Sequence, residues 1–203
     1  TDGDHDYTEI SYILKDVGYC VEDWKESEKR VPNLEYLNTF DAIVWSSGDI
    51  STDILDARDL DVLNNFKGKI LFEGSNMLSS NLYNELVENL LHASFNKDIN
   101  IKTIDVNQIS LKLNQHEILN DISEIKLPQE NPEIKKLAYD VDPEFINGDS
   151  VIPLENAYSV AEWPNGNSAI VVYNDTENRS VYMAFSIRNV DKNIWEGALA
   201  KDN

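Results

Sequence analysis

The chain has 203 residues, with 37 acids against 17 lysines and arginines, giving a net charge of −20 and an isoelectric point near 4.3. Such a balance disfavours nucleic acids and anionic membrane surfaces as partners, because both repel an acidic protein. No apolar run approaches the ~18 residues of a membrane span, and a single cysteine, Cys20, excludes an intrachain disulfide.

The chain opens on Thr1-Asp2-Gly3-Asp4-His5-Asp6, which has no signal-peptide pattern. Tyr7, Ile10, Ile13, Leu14 and Val17 then recur at helical spacing, so residues 7–17 read as a helix, capped by Asp4 or Asp6 and ended by Gly18. Tyr19–Trp24 reads as a strand, with Cys20 as a small buried residue at its start. A charged loop follows, with a short helical turn near 33–38. Ala42–Ser46 is apolar on both faces, as a buried parallel strand should be. Ser51 or Thr52 can cap a helix running to about Phe66. Ile70–Glu73 is another short apolar strand, and Ser79 or Ser80 can cap a helix to about His92.

This alternation of strand and helix predicts an α/β architecture: three layers, with a mostly parallel sheet flanked by helices on both faces. Such an architecture needs a strand before the opening helix, so the expectation is one domain, 1–203, lacking its first strand. Residues 99–113 give two weak strands. Residues 114–156 show little periodicity and read as an elaboration folded over the sheet. Ala157–Trp163, Ser168–Tyr173 and Val181–Ser186 read as an antiparallel meander at the sheet edge, its first pair joined around Pro164-Asn165-Gly166-Asn167. A last helix is expected over 191–199.

Two strand ends carry the candidate site. Asp41-Ala42-Ile43-Val44-Trp45-Ser46-Ser47-Gly48-Asp49 and Lys69-Ile70-Leu71-Phe72-Glu73-Gly74-Ser75-Asn76-Met77 each pass abruptly from apolar to small polar and acidic residues. The carboxyl ends of parallel strands form the ligand rim of open α/β sheets. Asp4, Ser47, Asp49, Glu73, Ser75 and Asn76 are therefore the candidate ligand-binding residues.

The order of these pieces resembles the class I glutamine amidotransferase-like superfamily, a flavodoxin-like fold, and most of all the amidotransferase-like domains within larger archaeal and bacterial surface proteins. Asp2-Gly3-Asp4 and Gly18-Tyr19 are similar to that family's acidic loop and helix end. Phe40–Asp49 resembles its Tyr-Asp-x-Val-Ile-Trp-x-x-Gly-Asp pattern, and Lys67–Gly74 its Gly-Gly-x-Leu-Leu-x-x-Gly pattern. Val181-Tyr182-Met183-Ala184-Phe185-Ser186 resembles its final strand. In active members a cysteine sits on an elbow after the strand corresponding to Ile70–Glu73. Here Glu73, Gly74, Ser75 and Asn76 stand there, so the resemblance implies the fold without its usual hydrolytic chemistry.

Other chemistries fare worse. A serine elbow reads G-x-S-x-G, whereas only Gly74 flanks Ser75. His5, His92 and His116 could supply a base only if folding brings one near; His92 reads as a helix-end histidine and His116 as part of a surface loop. The rim acids Asp2, Asp4, Asp49 and Glu73 could hold a hard cation, yet they read first as helix caps and a solvated rim. Asp2-x-Asp4-x-Asp6 fails as a calcium loop at Tyr7 and Ile13. A receiver domain fails at Trp45-Ser46-Ser47, and Asp2-Gly3-Asp4 would repel the phosphate of a flavin nucleotide. No Walker or CxxC motif occurs. The tryptophans Trp24, Trp45, Trp163 and Trp195 read as packing residues. Two N-x-[ST] sequons, at Asn174 and Asn178, fall in a predicted turn and point weakly to export.

The resulting expectation is a non-catalytic binding or structural module of a larger, cell-surface protein, with no cofactor and no bound metal. Its partner would be a small molecule, a glycan or another protein, with no nucleic acid and no membrane insertion. The alternative is a hydrolase using Ser75, Glu73 and Asp49, metal-assisted or not, with a cytoplasmic address as the alternative localisation.

Overall fold

A computed structural model describes residues 7–48, 54–75, 77, 83–102, 108–120, 122–128, 145–176 and 178–186. Helix α1 spans Tyr7–Asp16. Gly18 ends its last turn at φ 93°, and the Tyr19 amide donates to the Leu14 carbonyl, which satisfies an orphan carbonyl of the helix end. Two single-turn helices follow, α2 (Glu26–Lys29) and α3 (Leu34–Leu37). Then come β1 (Ile43–Gly48), α4 (Ala57–Asn65), β2 (Lys69–Gly74), α5 (Asn84–Leu90), β3 (Ala93–Lys102), β4 (Gln108–Leu113), β5 (Ile125–Pro128), β6 (Phe145–Pro153), β7 (Ala157–Glu162), β8 (Ser168–Asn174) and β9 (Arg179–Met183).

The expected three-layer, mostly parallel sheet is overturned. The molecule is built on a mixed, curled, half-barrel sheet of nine strands with few helices. Along its main path the order is β1-β2-β9-β8-β7-β4-β5, with β6 joined to β8 and β3 to β6. Only β1–β2 and β2–β9 pair in parallel; the other described ladders are antiparallel. The physical reason lies in the connections. The few residues between β8 and β9 can close a hairpin but cannot make a crossover, which needs a dozen or more residues. The same holds for β7 and β8. These strands therefore alternate in direction, and β9 inserts beside β2, so the meander lies inside the sheet and not at its edge.

The two faces are covered by different means. On one, Leu37 of α3, Leu63 of α4 and Leu86, Val87 and Leu90 of α5 pack over Ile43, Trp45, Ile70, Phe72, Val171 and Tyr182. On the other, Ile10 of α1 is the sole helical contribution to the buried cluster of described residues. The β4–β5 ribbon supplies the rest of the cover, placing Ile109, Leu111, Ile125 and Leu127 against Trp163, Ile170, Val172, Met183 and Phe185. A fully buried side chain of this size contributes ~1.5–3 kcal/mol, so the ribbon replaces what a helical layer would bury.

Several local expectations also change. Residues 19–24 form no strand, and Cys20 is exposed. Helix α4 starts at Ala57, where Asp56 accepts from the Arg58 and Asp59 amides and Asp59 answers to the Asp56 amide in a capping box; Ser51 and Thr52 lie outside the described residues. Helix α5 stops at Leu90, and β3 begins three residues later, well before 99. The stretch 114–156 holds a 3-10 turn, β5 and all of β6, which pairs with β3 from Ala93↔Pro153 to Lys102↔Phe145. Residues 1–6 and the helix expected over 191–199 lie outside the described residues, as does Trp195.

The ribbon is anchored to β7 by Glu162. Its carboxylate accepts from Asn114 Nδ2 at 2.9 Å and from Lys112 Nζ at 2.9 Å. The Asn114 bond, then the Lys112 ammonium, hold this carboxyl below its usual range. A carboxyl held low in the fold stabilises it above the unfolded value, and that contribution is lost as pH falls through the folded one. Glu162→Gln should therefore cost ~1 kcal/mol or less at pH 7. In urea denaturation the gap to the parent should narrow at pH 3.5; a gap that widens there contradicts the assignment.

Candidate functional site

The two strand-end runs do meet. Ser46 is registered on Glu73 and Gly48 on Gly74, leaving Ser47 as the extra residue of a bulge in β1. A bulge re-aims a side chain, and here it turns the Ser47 hydroxyl onto the Glu73 carbonyl at 3.0 Å. Ser46 Oγ donates to Glu73 Oε1. Gly48 follows at φ 58°, a left-handed conformation that favours glycine. Its carbonyl accepts from the Ser75 amide at 3.0 Å and from Ser75 Oγ at 3.4 Å. Gly74 is needed for the close approach: a Cβ there would lie 1.8 Å from Ser47 Oγ and 3.2 Å from its Cβ.

This arrangement is closed. Ser46 and Ser47 are each 2% exposed, and Glu73 and Ser75 have no exposed surface. Of the candidate residues, Ser47, Glu73 and Ser75 come together; Asp4, Asp49 and Asn76 lie outside the described residues, as do Asp2 and His5. Chemically, the cluster is a set of hydroxyls that fasten a turn. A serine nucleophile needs a base to take its proton, and the Gly48 carbonyl that the Ser75 hydroxyl faces cannot serve as one.

Neither described imidazole is placed to help. His92, just past α5 at φ 49°, stacks on Tyr173 with ring centroids 3.3 Å apart. Burial of the ring lowers its pKa, with the Asp175 carboxylate opposing. Tyr173 is registered on Ser180 and Ser180 on Ile70, so His92 sits at the amino end of the parallel strands, offset from Ser75 by roughly 16 Å along the strands at ~3.3 Å per residue and by two strands across the sheet. His116 accepts from the Ile118 amide at 3.2 Å and lies 6.0 Å from the Tyr158 ring. Tyr158 is three strands from β2 through Val172, Val181 and Leu71, ~14 Å away at ~4.8 Å per strand. Glu26, Asp56 and Asp59 bring one carboxylate oxygen each within 4.8 Å, but Asp56 and Asp59 serve the α4 cap.

Reasoning from sequence passed over the opposite end of the sheet. An open cleft of about 340 Å³ lies there, lined by Asp41, Gly68, Lys69, Asp175, Thr176 and Arg179. The only sequence signal was that Lys69 and Arg179 each open a strand beside an apolar run.

No family model matches the chain, and no curated protein matches it significantly. Solved structures do share its fold. Cytoplasmic protein STM1381 from Salmonella typhimurium LT2 superposes with a TM-score of 0.63 at 16% identity, over 90% of this chain and 76% of that one. A candidate GMP synthase subunit from Thermoplasma acidophilum gives 0.55 at 13% identity, over 100% and 92%. The exo-beta-1,4-mannosidase Op5Man5 from Opitutaceae bacterium strain TAV5 gives 0.59 at 7% identity, over 98% of this chain but 31% of that one. The likeness to the synthase is distant and is one of fold.

The close approach of Ser47 and Gly74 gives a direct test. Gly74→Ala should destabilise the protein by ~1–3 kcal/mol through overpacking. Adding Ser47→Ala should restore part of that loss, since it removes the atom the new methyl meets. Independent, additive effects in a double-mutant cycle by chemical denaturation would contradict the contact.

Proposed function

We propose that this chain is a non-catalytic, amidotransferase-like binding or structural module of a larger protein. The observation that carries this is the closed turn at Glu73-Gly74-Ser75, where the resembling family keeps an accessible cysteine. Glu73 and Ser75 have no exposed surface, and the Ser75 hydroxyl faces the Gly48 carbonyl. The distant fold likeness to a GMP synthase component supports the family reading. The match to about a third of a mannosidase supports the module reading, because the same fold there forms one part of a longer chain. The Salmonella neighbour is named a cytoplasmic protein, which favours the cytoplasmic address over export. No described helix is long and apolar enough to cross a membrane.

A hydrolase built on Ser75, Glu73 and Asp49 would need an imidazole or a cation at the turn, and both described histidines lie elsewhere. The purified protein, its fold verified by circular dichroism, should release no ammonia from glutamine. It should also give no product from p-nitrophenyl esters or glycosides above the uncatalysed rate. A fluorophosphonate probe should leave Ser75 unlabelled. Turnover that disappears in both Ser75→Ala and Glu73→Gln, each shown to be folded, would overturn the proposal.

A further inference from the structure

We infer that Lys69 and Arg179 form a binding site for an oxyanion, a phosphate or carboxylate group, in the cleft at the amino end of the parallel strands. The two residues are direct register partners on β2 and β9, so the sheet holds two cations side by side, an arrangement that is unfavourable without a counter-ion. In a chain with 37 acids and 17 bases, a counter-ion should be easy to find. Lys15, Lys25, Arg58, Lys112 and Lys126 all have one within 4.0 Å. Lys69 and Arg179, like the exposed Lys29, Arg30 and Lys97, have no ion pair among the described residues; of these, Lys69 and Arg179 are the ones set side by side by the sheet register, with Asp41 and Asp175 lining the same cleft.

Asp175 is held away from that role by its own turn. Its carboxylate accepts from the Asn178 amide at 2.6 Å and the Tyr173 hydroxyl at 2.7 Å. The Tyr173 bond raises that phenol's pKa, as expected for a proton committed to a carboxylate. Asp41 lines the same cleft and lies two residues before β1, the strand on the other side of β2. The charges along this edge therefore run acid, cation, cation, acid, and the central pair is left for an external anion. Thr176 adds a hydroxyl on one flank. The backbone beneath is fixed: the Arg179 amide donates to the Gly68 carbonyl at 3.0 Å. The two cations therefore start from adjacent, immobile points, and an oxyanion spanning both can accept from an ammonium and a guanidinium at once. This site does not depend on whether the Glu73–Ser75 turn is catalytic.

The test is titration of the labelled protein with inorganic phosphate and, separately, with acetate, followed by amide NMR at constant ionic strength. The expected result is a saturable shift at Gly68, Lys69, Thr176 and Arg179 with at least one anion. Preference for phosphate would identify a phosphorylated ligand, and preference for acetate a carboxylate ligand. Lys69→Ala and Arg179→Ala, both at exposed positions, should each weaken binding about tenfold. Asp41→Asn should tighten it about threefold by removing a repelling charge, which a merely structural role for Asp41 would not do. The inference is overturned if neither anion gives a saturable shift, or if the shift survives unchanged in both alanine variants.

Discussion

Strand β9 has to satisfy two opposite ladders at once, and the rest of the architecture follows from that demand. From Arg179 to Met183 it runs parallel to β2 on one edge and antiparallel to β8 on the other. Both faces of the strand are committed as well. Tyr182 is buried against Phe72 on the helical side, with ring centroids 6.2 Å apart, while Met183 joins the cluster under the β4–β5 ribbon. A strand so placed cannot slip by one residue without exchanging its two faces. It fixes the parallel part, β1 and β2, to the antiparallel remainder. Asp149 of β6 extends the junction, because its amide donates to the Ala184 carbonyl and its own carbonyl accepts from Trp163 Nε1. Gly148 allows this approach: a Cβ there would lie 2.6 Å from the Trp163 ring.

At the carboxyl ends of β1 and β2 the described residues Ser46, Ser47, Glu73 and Ser75 are buried. A helical layer on each face leaves a rim where strand ends open to solvent between the layers. Here the second face is roofed largely by strands that curl over it, and the turn after β2 is drawn inward. Ser46, Ser47 and Ser75 are small enough to fit in that enclosed space and polar enough to satisfy what is buried with them. Burying a polar group without a partner is costly, which is why these hydroxyls end on Glu73 and on the Glu73 and Gly48 carbonyls.

How much of this was legible in the sequence depended on whether a residue's role is local. Ile43–Ser46 and Ile70–Glu73 were readable as strands because burial on both faces leaves an uninterrupted apolar run. The approach of Ser47 to Glu73 was foreseen in outline, since both runs end in small polar residues. The bulge that aims Ser47 was not, because it exists only between paired strands. Tyr19–Trp24 misled for the opposite reason. Tyr, Cys, Val and Trp favour strands because they suit a pleated, half-buried surface; with no partner strand among the described residues, Tyr19 remains 67% exposed. β3 was obscured by Asn96, Lys97 and Asp98, which are tolerated on exposed positions of a ladder whose partner lies some fifty residues later. The direction of the sheet was the largest loss. Alternation of strands with helices in the first half suggested parallel pairing throughout, whereas the short turns of the second half decide most of the ladders.

The two ends of the parallel strands therefore make contrasting demands on a ligand. At the carboxyl end the polar groups are buried and already paired, so any ligand reaching them must first break hydrogen bonds within the fold. At the amino end, Lys69 and Arg179 stand exposed on fixed backbone with no partner of their own among the described residues. Binding there breaks no hydrogen bond within the described fold; beyond the ligand's own loss of freedom, it costs the ordering of two side chains and the displacement of surface water. The general rule that ligands gather at carboxyl ends of strands rests on loops that splay apart over an open sheet. Where the sheet curls and that end is closed, the rule loses its premise. The arrangement of charge then favours the other end.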